Sequence, residues 1–255
     1  MNSTNCSIVI SSFDGYSDAW RPFFELFWRY WPDCPYRIYL IANNLEYPDE
    51  RVRTIKIPND QGWGGNFIQA IKEIKTDYII YLQEDYFLKS KVNSGYIERI
   101  LKFTADERAV CMRLFPCPGP DLSYKGNSEI GEISKDAPYR ISLQAAIWES
   151  RPFLELIRPE WSGWDMEIRG TIESSKQNQL FLGVKREAPL ALDYFCTAIL
   201  KGKWLPGAIE LCEQEGVEID LSRRPVLSAF DKIKGEILGH IAKPYLFLRK
   251  IWQGR

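Results

Sequence analysis

No stretch of the 255-residue chain is apolar over the roughly 18 consecutive positions that a membrane-spanning helix needs. The N-terminus lacks a basic segment followed by a long apolar one, so no secretory signal is expected. No C-x-x-C pair occurs among Cys6, Cys34, Cys111, Cys117, Cys196 and Cys212. Such scatter fits neither a disulfide scaffold nor a zinc site; reduced, mostly buried thiols in a cytoplasmic protein are expected. Histidine is nearly missing, and His240, the only one, sits in the C-terminal tail, which argues against Ser-His-Asp or Cys-His machinery. The formal net charge of −1 argues against a surface-wide attraction to nucleic acid.

What is present is an ordinary globular composition, 45% hydrophobic and 26% charged, rich in aromatics. Residues 7–13 (SIVISSF) read as a first strand, closed by the turn pair Asp14-Gly15. A helix over 18–31 follows, capped by Ser17, with Trp20, Phe23, Phe24, Phe27, Trp28 and Trp31 on one wide apolar face. Residues 36–42 and 52–57 read as strands, 66–75 as a helix and 77–82 as a fourth strand. Further on, 97–103 reads as helix, 109–115 as strand, 117–136 as a long loop, 139–148 as strand, and 152–157 and 165–177 as helices. This alternation predicts an α/β fold, a mostly parallel sheet with helices on both faces. The pattern changes after Pro225. In residues 231–255 six Lys and Arg outnumber Asp231 and Glu236, while Ile233, Ile237, Ile241, Tyr245, Leu248 and Trp252 recur at helical spacing. A basic amphipathic helix of this kind suits an anionic bilayer surface, or docking on a protein. The expected division is therefore one domain over 1–230 and a helical tail over 231–255.

The chemistry concentrates where the fourth strand stops. Asp77-Tyr-Ile-Ile-Tyr-Leu82 runs straight into Gln83-Glu84-Asp85. Open α/β sheets place their ligand crevice at such carboxyl ends, and acids there are costly to desolvate without a cation or polar ligand. A hard cation, Mg2+ or Mn2+, bridging a diphosphate would meet that need. Gly62-Trp-Gly-Gly-Asn66 precedes the helix that leads to this strand; glycines permit close backbone approach, and a helix start offers N–H groups to an anion. A second acidic cluster is Trp161-Ser-Gly-Trp-Asp-Met-Glu167. Two helical residues at that spacing point in different directions, so one of the two acids is expected to face a ligand.

These motifs, in this order, resemble the GT-A class of nucleotide-sugar glycosyltransferases, and within it bacterial family-2-like enzymes of surface-polysaccharide assembly. The resemblance covers roughly residues 7–211. It implies a Rossmann-like GT-A sheet whose D-x-D motif holds a divalent metal against the sugar-nucleotide diphosphate. Gln83-Glu84-Asp85 stands at that motif, with Asp85 and Glu84 as metal ligands and Gln83 in place of the first acid. By the same resemblance Ser11, Phe13, Asp14, Asn43, Trp63, Asn66 and Glu84 are expected at the donor. Asp165 or Glu167 is the expected base, and Trp161 and Trp164 an expected acceptor platform. The implied partners are a nucleotide-sugar donor, a glycan or lipid-linked saccharide acceptor, and an anionic membrane surface reached through 231–255 on the cytoplasmic side. Two rivals remain: a catalytically silent nucleotide- or glycan-binding scaffold, and a nucleotidyltransferase, although Ser11-Ser-Phe-Asp-Gly15 lacks the basic residues of the latter's first loop.

Overall fold

The structure, a computed structural model, describes residues 5–228. Both the expected amphipathic helix over 231–255 and His240 therefore lie outside the described residues. The chain divides after Cys196 into two compact units.

The first unit is built on one nine-stranded sheet. Its early strands are β1 (Cys6–Ser11), β2 (Arg37–Ala42), β3 (Val52–Lys56) and β4 (Tyr78–Gln83), linked by helices α1 (Ser17–Tyr30) and α2 (Gly62–Ile74). After the short β5 (Phe87–Leu88) come α3 (Ser94–Asp106), β6 (Cys111–Arg113), β7 (Leu122–Ser123), β8 (Ile130–Glu132) and β9 (Ala146–Glu149). Next follow α4 (Ser150–Leu156), α5 (Gly163–Asp165), a π-turn (Met166–Gly170), α6 (Thr171–Ser175), β10 (Phe181–Val184) and β11 (Tyr194–Phe195). The order across the sheet is β3-β2-β1-β4-β9-β6-β10-β8-β7, and β11 pairs with β5 apart from it. Pairings β3–β2–β1–β4 and β6–β10 are parallel; β9 and β8 run against their neighbours.

The runs that look continuously apolar are the central strands. β1 is buried at every position after Cys6, as is β2 after Arg37. Side chains alternate across a strand, so burial at consecutive positions means that both faces are covered. On one face Val9, Tyr39 and Tyr81 join Phe67, Ala70 and Ile71 of α2. There Phe67 meets Tyr81 and Phe153 with ring centres 5.5 and 5.4 Å apart, and Trp148 stacks on Phe153 at 4.1 Å. The crossovers β1–α1–β2 and β3–α2–β4 run in opposite directions along the sheet, and their common right-handedness puts α1 and α2 on opposite faces. Most of the aromatic stripe of α1 is buried as expected, with Trp20, Phe23, Phe24, Phe27 and Trp31 at most 3% exposed, while Trp28 is half-buried.

Three expectations change. Gly62-Trp-Gly-Gly does not precede the second helix but forms its first turn, since α2 starts at Gly62. Residues 139–145 are not strand, because side chains capture their backbone instead; the strand is the shorter β9. Residues 117–136 are not one loop, since β7 and β8 extend the sheet edge there. Arg113, 1% exposed, pins this region by donating to the carbonyls of Pro118 and Tyr139. Arg140, 2% exposed, does likewise toward Ile133 and Gln179.

The second unit, described by itself, is small. β12 (Ile199–Leu200) and β13 (Lys203–Trp204) form a hairpin that feeds α7 (Pro206–Gln214). Trp204 is fully buried there, with the Arg224 guanidinium 5.6 Å from its ring centre.

The glycines opening α2 answer to packing. Gly64 donates its N–H to the carbonyl of Trp161 at 2.9 Å, and a Cβ at 64 would stand 2.3 Å from the carbonyl oxygen of Arg158. Gly64→Ala should therefore destabilise the protein by roughly 1–3 kcal/mol, read as a lowered urea midpoint. Gly95→Ala, which meets only Asn93 Oδ1 at 3.5 Å, should leave that midpoint unchanged or slightly raised.

Candidate functional site

β1 and β4 lie side by side, with Ser11 opposite Gln83 at their carboxyl ends. From β1 the chain goes on to β2 on one side; from β4 it packs β5 on α1 and then reaches β6 on the other side. Strand connections that diverge like this leave a crevice between them. Tyr86 N–H donates to the Gln83 carbonyl at 3.1 Å, closing a turn with Glu84 and Asp85 at its corner. Corner residues usually face water, yet Glu84 is only 7% exposed and Asp85 5%. Gln83 Nε2 donates to the hydroxyl of Tyr81 at 2.9 Å, so the residue replacing the expected first acid is turned back along its own strand. Burial drives the Tyr81 hydroxyl above its ordinary pKa, keeping it neutral.

Among the described residues no three His, Cys, Asp or Glu side chains gather as a ready-made metal site. Mg2+ is commonly held by one or two carboxylates, with phosphates and water completing its shell. A pair of buried acids, all oxygen donors, at the carboxyl end of β4 fits that arrangement.

The expected donor-side residues lie on the same edge of the sheet. Asp14 joins the loops after β1 and β2: its carboxylate accepts the backbone N–H of Asn43 and Asn44, both at 2.9 Å, and of Leu45 at 3.3 Å. Asn43, 6% exposed, returns a bond by accepting the Asp14 N–H at 3.3 Å and donates to Ile57 O at 3.2 Å. Burial pushes the Asp14 carboxyl up, but the amides of Asn44, Asn43 and Leu45 outweigh it and hold its pKa below the ordinary value. Phe13, 40% exposed, offers its ring at the rim beside Tyr16, 5.0 Å between centres. α2 starts from this edge too, because it follows the carboxyl end of β3. Asn66 braces its entrance, accepting from Gln61 N–H at 3.0 Å and donating to Asp60 at 2.7 Å. Trp63 stacks on Phe67, with centres 5.5 Å apart.

The two acids of the second cluster part company. Asp165 forms a capping box: Oδ2 accepts from Ser162 Oγ at 2.7 Å and from Ser162 N–H at 3.2 Å, while its own N–H donates to Ser162 Oγ at 3.1 Å. Its other oxygen meets Arg169 Nε at 3.1 Å. Those hydrogen bonds from Ser162, reinforced by Arg169, hold the carboxyl below the ordinary range. Glu167 turns inward. Its Oε1 accepts the Leu143 N–H at 2.8 Å and the Ser142 hydroxyl at 3.4 Å. Trp161 is buried in the core beneath this helix, whereas Trp164 is 67% exposed.

Tyr86, Tyr194, Gln144 and Arg113 were not anticipated. Tyr86 donates its hydroxyl to Leu143 O at 2.7 Å and stacks on Tyr194, 4.8 Å between centres. Tyr194 accepts from Ala145 N–H at 3.1 Å and donates to Gln144 Oε1 at 2.8 Å. Burial raises both phenols well above their ordinary pKa, so they remain neutral donors. One signal was available for Arg113, a lone charge inside the apolar run Ala-Val-Cys-Met-Arg-Leu-Phe. For the tyrosines there was none, since their partners are backbone groups distant in sequence.

The profile described as glycosyl transferase family 2 matches residues 35–163. No curated protein matches the sequence. Among solved structures, Staphylococcus aureus TarS 1-349 superposes with a TM-score of 0.50 at 10% identity, over 76% of this chain and 60% of that one. A longer TarS chain superposes equally well at 8% identity, and only 36% of it is covered. HddC from Yersinia pseudotuberculosis gives 0.50 at 12% identity, over 83% of this chain and 99% of its own. At such identities the likeness speaks for the fold alone.

The Asp14 network has a pH signature. A carboxyl whose folded pKa is depressed stabilises the fold above its unfolded value, and that stabilisation fades as pH falls through the folded value. The wild type should exceed Asp14→Ala by roughly 1–3 kcal/mol at pH 7, with the gap shrinking below about pH 4; urea titrations of both proteins at pH 7 and pH 3 measure it.

Proposed function

The chain belongs to glycosyl transferase family 2, and from that premise we propose that it moves a sugar from a nucleotide donor to a hydroxyl of a lipid-linked glycan in bacterial surface-polysaccharide synthesis. The observation that carries this reading is the buried Glu84–Asp85 corner at the point where β1 and β4 diverge. Asp85, with Glu84 beside it, would hold a Mg2+ or Mn2+ ion. When bound, that ion neutralises the diphosphate of the leaving nucleotide.

The remaining work falls to the chain's own groups. Asn66 braces the first turn of α2, where the Gly62 and Gly64 N–H groups are already held by Asp60 and by the Trp161 carbonyl. Phe13 offers a face at the rim for the base, with Ser11 and the Asp14–Asn43 junction behind it. Glu167 is the general base. Of the two candidate acids it is the one tied toward the Glu84–Asp85 turn, and its Oε2 makes no hydrogen bond among the described residues. Asp165 starts the helix, and Trp164 lies at the acceptor approach. As the acceptor oxygen bonds to the anomeric carbon, the bond from that carbon to the diphosphate breaks and the acceptor proton passes to Glu167. One displacement inverts the anomeric centre. The tail sequence 231–255 supports peripheral attachment to the inner face of the cytoplasmic membrane, where a lipid-linked acceptor is found.

Hydrolysis of nucleotide sugars tests the machinery. Asp85→Asn and Glu167→Gln should each remove at least about 99% of turnover, with thermal midpoints close to wild type. Asp165→Asn should lower the midpoint yet retain a much larger residual rate; the reverse ranking would make Asp165 the base. Removing 231–255 should release the protein from phosphatidylserine vesicles while donor hydrolysis persists, as a co-sedimentation assay would show.

A further inference from the structure

We propose that Tyr86 is a positioning residue, fixing Glu167 relative to the acids of the 83–86 turn through the backbone of Leu143. This rests on the transferase reading above, and adds a residue that neither family nor fold supplies. The path is short. Asp85 is bonded covalently to Tyr86, the Tyr86 hydroxyl donates to Leu143 O at 2.7 Å, and the Leu143 N–H donates to Glu167 Oε1 at 2.8 Å. Two hydrogen bonds thus join the turn that faces the diphosphate to the carboxylate that faces the acceptor.

The path is also stiff where a loop would be soft. Residues 142–145 belong to no strand or helix, and β9 starts only at Ala146. Two stacked phenols hold the segment from one side, Tyr86 at Leu143 and Tyr194 at Gln144 and Ala145. Tyr86 is 3% exposed and Tyr194 2%, so water competes little for these bonds. Direct displacement tolerates little error in the placement of a base: a shift of about 1 Å can slow a reaction about a hundredfold. A hydroxyl at residue 86 is therefore expected to act on the rate of the chemical step and not on donor affinity.

Tyr86→Phe removes only that hydroxyl and keeps the ring, its volume and its stacking. With the best-hydrolysed donor from a panel of UDP-, GDP-, dTDP- and CMP-sugars, kcat should fall roughly 10- to 100-fold while the donor KM stays within about twofold. Glu167→Asp keeps a carboxylate but shortens it away from Leu143. Adding Tyr86→Phe to Glu167→Asp should therefore lower kcat by less than about threefold more, because the two losses share one path. An unchanged kcat in Tyr86→Phe, a change confined to KM, or a double variant slowed by the product of the single effects would each overturn the positioning role while leaving sugar transfer standing. A wild-type protein inert toward the whole panel would instead overturn the transfer reading, and this role with it. If Tyr86→Phe does not fold, Tyr194→Phe loosens the same segment at Gln144 and Ala145 and must show the same kcat-only loss.

Discussion

Burying two carboxylates at the tip of a sheet is the constraint around which the rest of the first unit is arranged. Glu84 and Asp85 occupy a turn corner, where chains normally expose charge, and the fold gives them little water. The parallel pairing of β1 with β4 sets the place. With Ser11 across from Gln83, the two strands end side by side, and the sheet continues to β2 on one side and to β9 and β6 on the other. Helix starts, loop amides and aromatic rims then gather at the same edge because every parallel strand ends there.

Much of what surrounds the crevice is irregular backbone, and it is held by side chains reaching to carbonyls and amides. Asp14 gathers three amides of the next strand's exit, Asn66 straps the entrance of α2, and Glu167 grips Leu143. Arg113 and Arg140 do the same from inside the core, each spending its guanidinium on main-chain oxygens. Buried backbone groups outside regular structure need such partners. The result is a set of loops whose positions are defined without strand pairing.

The central frame was legible in the sequence because burial on both faces leaves an unbroken apolar run, as in Ile8-Val-Ile10 and Tyr78-Ile-Ile-Tyr-Leu82, and because α1 carries its aromatics at helical spacing. The acid pair was legible as the abrupt end of such a run. What was hidden depends on distant partners. Residues 139–145 have strand-like composition, yet Tyr86, Tyr194, Thr171 and Glu167 take their backbone, and nothing local announces it. Asp165 could already be read from the sequence as a helix-start acid, and the structure shows it in a capping box with Ser162 and paired with Arg169. The glycines of 62–65 suggested close approach, and close approach is what Gly64 makes, though to another stretch of main chain.

That contact between Gly64 and the carbonyls of Arg158 and Trp161 ties together two walls that the sequence keeps nearly a hundred positions apart. Anyone exchanging these segments with a relative inherits this dependency. Transplanting the segment before α2 alone would bring in a neighbour shaped for a different 158–161, and the helix bearing Asp165 and Glu167 would be reseated as well. The two segments therefore form one exchangeable module, and recombination breakpoints belong outside both.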